Sequence, residues 1–167
     1  MIDDAFAEFA VGVRPEWTAA GHLTVASFSL LFDLATDALR EHCGIGGAYA
    51  EAYACSIVVV EAHLTYLREA REGDVLRFRT RVLDAAAKRL HLFHAMHRDD
   101  DGSLLATAEM MLVHVDRAAG RSVAFAPEVA ARLEALARAH TATPWPAQAG
   151  RSIRAPVQVA HSQVAGG

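Results

Sequence analysis

Glu61 and His63 are the carboxylate and imidazole whose spacing most invites chemistry. They stand two residues apart in the run Ile57-Val58-Val59-Val60-Glu61-Ala62-His63-Leu64-Thr65-Tyr66-Leu67, whose β-branched density predicts a long strand. By simple alternation Ile57, Val59, Glu61, His63 and Thr65 share one face, and a charge among such neighbours is costly to bury unless it is paired. His63 lies within reach as the partner, and two such groups can hold or move a proton. An interior structural ion pair leaves the same signature in a sequence.

A second candidate group is Gly21-His22-Leu23-Thr24-Val25. Thr24 precedes a helical pattern and suits the N-cap position; the first amides of that helix lack intrahelical partners and attract negative charge. Gly21 lets the backbone approach a ligand closely, and His22 can touch that ligand or bond within its own loop. Asp33 and Asp37, at i and i+4, and Glu109, on a strand with Thr107, Met111 and Val113, are further acids. The first two read as solvated, with Asp37 and Arg40 a surface pair, and Glu109 as a second-choice acid.

Arg77, Arg79 and Arg81 form a basic stripe, open to solvent or to phosphates. His91, His94 and His97 converge on a metal only if read as a helix. On a strand His94 points away from the other two, so no metal is expected. Gly44-Ile45-Gly46-Gly47 follows a helix and reads as a C-cap and turn, not a phosphate loop. Cys43 at a helix C-terminus is disfavoured as a thiolate, and no G-x-S-x-G is present.

The elements that position these residues follow from periodicity. Residues 11–17 suit a short edge strand ending at Pro15. From Thr24 to His42 the apolar positions Phe28, Leu31, Phe32, Ala35, Ala38 and Leu39, widened by Leu30 and Leu34, predict a helix too apolar to be peripheral. Its narrow polar face is Asp33, Thr36, Asp37 and Arg40. Strands are predicted over Ile57–Leu67, Val75–Leu83, Lys88–Arg98 and Leu104–Asp116, the last two joined by the turn-rich stretch 99–103. A helix opens at Pro127, with Val129, Leu133 and Leu136 as its stripe. This order predicts an α+β chain: an antiparallel sheet of about five strands curved around one long apolar helix.

The 167 residues, 53% hydrophobic, allow one core, read as a domain over 1–140 and an irregular tail over 141–167 that is expected to be mobile with local docking. A formal net charge of -4 supplies no basic field for nucleic acid. Cys43 and Cys55 form no C-x-x-C pair and are expected to be reduced thiols in the cytosol. The start, Met1-Ile2-Asp3-Asp4-Ala5-Phe6, lacks the basic n-region of a signal peptide, and no run approaches the roughly 18 apolar residues of a span. A cytoplasmic protein with no membrane partner is expected.

Pro15-Glu16-Trp17 with Gly21-His22, the helix segment Phe32–Leu39, and the strand segments Val59–Glu69, Arg89–His94 and Ala108–Asp116 resemble the hotdog-fold acyl-CoA thioesterases related to hydroxybenzoyl-CoA thioesterase, and within them the betainyl-CoA thioesterase-like branch. The resemblance spans about residues 11–139 and implies the hotdog fold, a homodimer or dimer of dimers, and acyl-CoA sites where chains meet. Family members carry an aspartate between the tryptophan and Gly-His, and an asparagine beyond. Here the stretch Trp17-Thr18-Ala19-Ala20-Gly21-His22-Leu23-Thr24 is one residue shorter, carries no carboxylate, and has Thr24 at the asparagine position.

The expected activity is hydrolysis of a small or medium acyl-CoA thioester, with no cofactor beyond the CoA of the substrate. Glu61 would be base or nucleophile, oriented by His63, with His22 at the thioester. Gly21, Leu23, Thr24 and Val25 would hold the carbonyl, and Arg77 and Arg79 the CoA phosphates. A non-catalytic acyl-CoA-binding or structural hotdog protein and a hotdog hydratase or dehydratase are the alternatives.

Overall fold

The computed structural model describes residues 6–153; the acidic start before Phe6 and the tail beyond Ile153 lie outside the described residues. Five long strands form one antiparallel sheet in the order β1 (Phe6–Gly12), β5 (Val75–Ala86), β6 (Arg89–Arg98), β7 (Leu104–Asp116), β4 (Cys55–Tyr66). Two short strands, β2 (Thr18–Ala19) and β3 (His22–Leu23), make a separate hairpin, and β8 (Arg121–Ser122) turns back to pair antiparallel with the end of β7. The helices are α1 (Val25–His42), α2 (Gly47–Ala52) and α3 (Pro127–His140), with a 3₁₀ turn at Pro15–Trp17. The sheet curls around α1, which is the hotdog arrangement.

The breadth of the apolar surface of α1 dictates this wrapping. Phe28, Leu31, Phe32, Ala35 and Leu39 are all buried, against Leu76, Phe78 and Val82 of β5, Leu90, Leu92 and Met96 of β6 and Ala106, Ala108, Met110 and Leu112 of β7. Phe32 meets Phe78 edge to face at 5.7 Å between ring centroids, the arrangement that aromatic quadrupoles favour. Thr24 caps the start of α1 by accepting from the Ser27 amide. Its end is a Schellman motif: Ile45 N donates to Arg40 O and Gly44 N to Glu41 O, with Gly44 at φ +67 and Ile45 buried behind it.

Four details depart from the periodicity. The first strand lies earlier than expected, at Phe6–Gly12, because Pro15 opens a 3₁₀ turn. The α2 helix and β8 fall in segments too short to show a period. Thr36 leaves the polar face of α1 and is buried, its hydroxyl donating to Phe32 O at 2.8 Å. The segment after α3 is irregular but contacts the domain as far as Gly150: Arg81 donates to the carbonyls of His140, Thr143 and Pro144, and Gly150 N donates to Glu109. Arg81 also complements the C-terminus of α3.

Candidate active site

The hairpin of β2 and β3 turns on Ala20 and Gly21, at φ 51 and 79, with Ala19 opposite His22. Positive φ at both central residues is the type I′ geometry that two-residue hairpins use, and it is the shortest way back from Trp17 to the helix start. Backbone bonds fix it: Leu23 N to Ala70 O at 2.8 Å, Glu72 N to Gly21 O at 3.2 Å and Thr24 N to Trp17 O at 3.1 Å. Leu23 is thereby buried while the side chain of His22 stays 44% exposed. Gly21, His22, Leu23, Thr24 and Val25 are thus one contiguous group at the N-terminus of α1. That end offers unpaired amides and a partial positive charge to a developing oxyanion.

Docking β3 against residues 70–72 brings in a carboxylate that periodicity does not single out. Oε2 of Glu69 lies 3.4 Å from Nε2 of His22 and 3.8 Å from Nη2 of Arg71. Glu69 and Arg71 border a groove of about 540 Å³ that Arg68, Asp74, Arg98 and Asp100 also line. The only hint in the sequence is the density of charge in Arg68-Glu69-Ala70-Arg71-Glu72.

Glu61 and His63 stand elsewhere. The register of β4 against β7 slips between Val59 and Glu61: Ile57 and Val59 pair with the buried His114 and Leu112, whereas Glu61 and His63 pair with Met111 and Glu109. The extra residue reverses the alternation, so Ile57 and Val59 do not share the face of Glu61. Glu61 is exposed, on the face of the sheet opposite the core. With His63, His91 and Glu109 it lines a cavity of about 310 Å³. There Glu109 bonds His91 Nε2 at 2.7 Å through one oxygen and accepts from Gly150 N at 2.7 Å through the other. Trp145 lies 6.0 Å from the His91 ring. This cluster clasps the segment after α3.

The arginine stripe is divided. Arg77 is paired with Asp99 at 2.7 Å, which holds its guanidinium above the ordinary value, and Arg81 is spent on carbonyls. Asp37 pairs with Arg40 at 2.8 Å on the surface, and Asp33 is exposed. His94 is buried between Thr36 and Thr80, at 3.0 and 2.8 Å, and desolvation lowers its pKa to about 3. Burial pushes the Cys43 thiol up to about 11, against the pull of Arg132. Both cysteines are free thiols. Among the described residues no group of three or more His, Cys, Asp or Glu is placed to hold a metal ion, and no helix is long and apolar enough to cross a membrane.

The sequence profile of the thioesterase-like superfamily matches residues 13–133. The chain is 43% identical over 145 residues to a betainyl-CoA thioesterase of Pseudomonas aeruginosa, covering 86% of this chain and 91% of that one. It is 38% identical over 133 residues to an L-carnitine dehydrogenase/betainyl-CoA thioesterase of Rhizobium meliloti, where 80% of this chain covers 27% of the relative. A Staphylococcus aureus protein solved in complex with CoA superposes with a TM-score of 0.85 at 27% identity, over 93% of this chain and 98% of that one.

Proposed function

From the premise that this chain belongs to the thioesterase-like superfamily and hydrolyses acyl-CoA thioesters, we propose that its substrate is a small acyl-CoA of the betainyl-CoA type, cleaved at the start of α1. The observation that carries the placement is the delivery of Gly21 and His22 by a two-residue turn to the capped N-terminus of a buried helix. The carbonyl oxygen of the thioester lies against the first-turn amides around Val25, whose peptide dipoles stabilise the negative charge that grows there. His22, next to that oxyanion position, activates water. This reading leaves Glu61 and His63, on the outer face of the sheet, outside the step.

The anionic end of CoA meets the cationic groups beside the hairpin. Arg68 and Arg71 line the groove that Glu69 enters, whereas Arg77 is committed to Asp99. Two copies of the chain pair through β4. It is the last strand of the sheet, twelve residues long, with Val58, Val59 and Val60 exposed by 38%, 42% and 58%. Such an apolar edge invites strand addition unless covered. The buried thiols suit a reducing cytosol.

The test is free-thiol release from a panel containing betainyl-CoA, acetyl-CoA and medium-chain acyl-CoA. Turnover highest on betainyl-CoA is expected. Equal turnover across the panel removes the substrate assignment, and no turnover, with CoA still bound, returns the non-catalytic reading favoured by the missing carboxylate between Trp17 and His22.

A further inference from the structure

Hydrolysis by a lone imidazole on a hairpin is inefficient unless the ring is held in one tautomer and its positive charge is compensated when the proton arrives. The hairpin itself supplies no acid: Thr18, Ala19, Ala20 and Gly21 precede His22. The carboxylate nearest the ring comes from the loop between β4 and β5.

We propose that Glu69 is the positioning residue for His22, so that the two act as a carboxylate–imidazole pair in thioester hydrolysis; this rests on the placement of the reaction at the start of α1. Three observations carry it. Oε2 of Glu69 lies 3.4 Å from Nε2 of His22, an ion-pair separation longer than a charge-assisted hydrogen bond, which a bound substrate would have to shorten. The backbone around Glu69 is fixed independently of its side chain. Its carbonyl accepts from Arg98 Nη2 at 3.0 Å, the next carbonyl, of the fully buried Ala70, accepts from Leu23 N at 2.8 Å, and Asp74 ties Arg98 and the Arg71 amide into the same loop. Finally, His22 is three residues from Val25 at the start of α1, a chain distance of at most about 11 Å, close enough for the ring and the helix amides to address one substrate.

The arrangement assigns the ring atoms. Nε2 is the ring atom that faces Glu69, at 3.4 Å, so in the proposed pair Nε2 carries the hydrogen and Nδ1 takes the proton. Water attacks the thioester carbon, its proton passes to Nδ1, and the π electrons of the carbonyl move to the oxygen held by the helix amides. The tetrahedral intermediate then collapses and the C–S bond breaks. The sulfur leaves with the bonding pair and receives the proton from Nδ1. Free acid and CoA thiol depart, and the imidazole is neutral again. Through both transfers Glu69 offsets the charge of the imidazolium without itself accepting the proton.

A double-mutant cycle tests this. His22→Asn is expected to lower kcat on the best substrate by about 10²-fold or more, the usual loss for a general base. Glu69→Ala is expected to lower kcat by about 10-fold or more with KM little changed, and Glu69→Gln, which still accepts from Nε2–H, to retain more activity than Glu69→Ala. Because the groups act as a unit, the double variant should be no slower than His22→Asn alone within about twofold. Multiplicative losses in the double variant, an effect of Glu69→Ala on KM alone, or unchanged activity each overturn the pairing while leaving the hydrolase reading in place. Absence of turnover by the wild type overturns both. Circular dichroism and thermal melts of each variant show whether the fold is kept; Glu69→Ser replaces a Glu69→Ala that loses it, and His22→Gln a His22→Asn that does, read against the same outcomes.

Discussion

The buried His94 should make this protein lose stability on mild acidification. Its surroundings settle the tautomer. The Thr36 hydroxyl is spent on Phe32 O, so it can only accept from His94, and Nε2 carries the hydrogen; Nδ1 then accepts from Thr80. Every polar atom of the ring is satisfied while it is neutral, and a second proton has no acceptor to meet, which is why burial takes the pKa from 6.5 to about 3. A base whose folded pKa is depressed stabilises the native state fully above its unfolded pKa. That stability is lost as pH falls, because the unfolded chain binds a proton the folded chain refuses. The loss begins near 6.5 and continues towards 3, at about 1.4 kcal/mol per pH unit. Between pH 8 and pH 5 the contribution is therefore about 2 kcal/mol. His94→Gln can keep both hydrogen bonds and does not titrate. Urea unfolding of both proteins at pH 8 and pH 5 isolates the term, since other titrating groups are common to both. The gap between wild type and variant should narrow by about 2 kcal/mol on acidification; an unchanged gap would refute the reasoning.

Ala20 sits at φ 51 in a turn that prefers Asn-Gly, so Ala20→Asn should stabilise the fold by about 0.5–1 kcal/mol, read as a higher urea midpoint. Thr24→Ala removes the cap on Ser27 N and should cost about 1 kcal/mol, with Thr24→Ser restoring most of it. Glu109→Ala cuts the bond to Gly150 N; cleavage by a protease within 141–153 should accelerate while the melting temperature moves little. Val60→Lys on the exposed edge of β4 should convert a dimer to monomer in sedimentation velocity, and an unchanged sedimentation coefficient would remove β4 as the interface.

The sequence discloses elements whose period is long and uninterrupted. The stripe Phe28 to Leu39 is broad enough to demand cover on most sides, and the structure surrounds it with four of the predicted strands and β1. Alternation places Leu76, Phe78, Thr80 and Val82 inward and separates His94 from His91 and His97. It fails at Val60, because one unpaired residue inverts every side chain after it and nothing in a valine-rich run marks which valine is extra. The same limit hides Glu69. Its relation to His22 depends on β3 docking beside Ala70 and Arg71, a contact set by tertiary packing and not by spacing along either segment.

The curled sheet therefore sorts the histidine–carboxylate pairs by what they can reach. His91 and Glu109, 2.7 Å apart with side chains only 21% and 15% exposed, are held under Trp145 and Gly150. Both carboxylate oxygens are engaged, so the pair has little capacity left for a substrate proton and considerable value as a clasp. His22 and Glu69, 3.4 Å apart with side chains 44% and 66% exposed, contribute little as a surface ion pair. Their backbones are nevertheless held by bonds that neither side chain makes. A weak side-chain contact on a rigid support, beside a helix N-terminus, is free to tighten when a ligand excludes water, and Coulomb attraction then strengthens as the local dielectric falls. On the proposed mechanism the tighter pair is therefore the structural one, and the looser pair, His22 and Glu69, is the one left to act in hydrolysis.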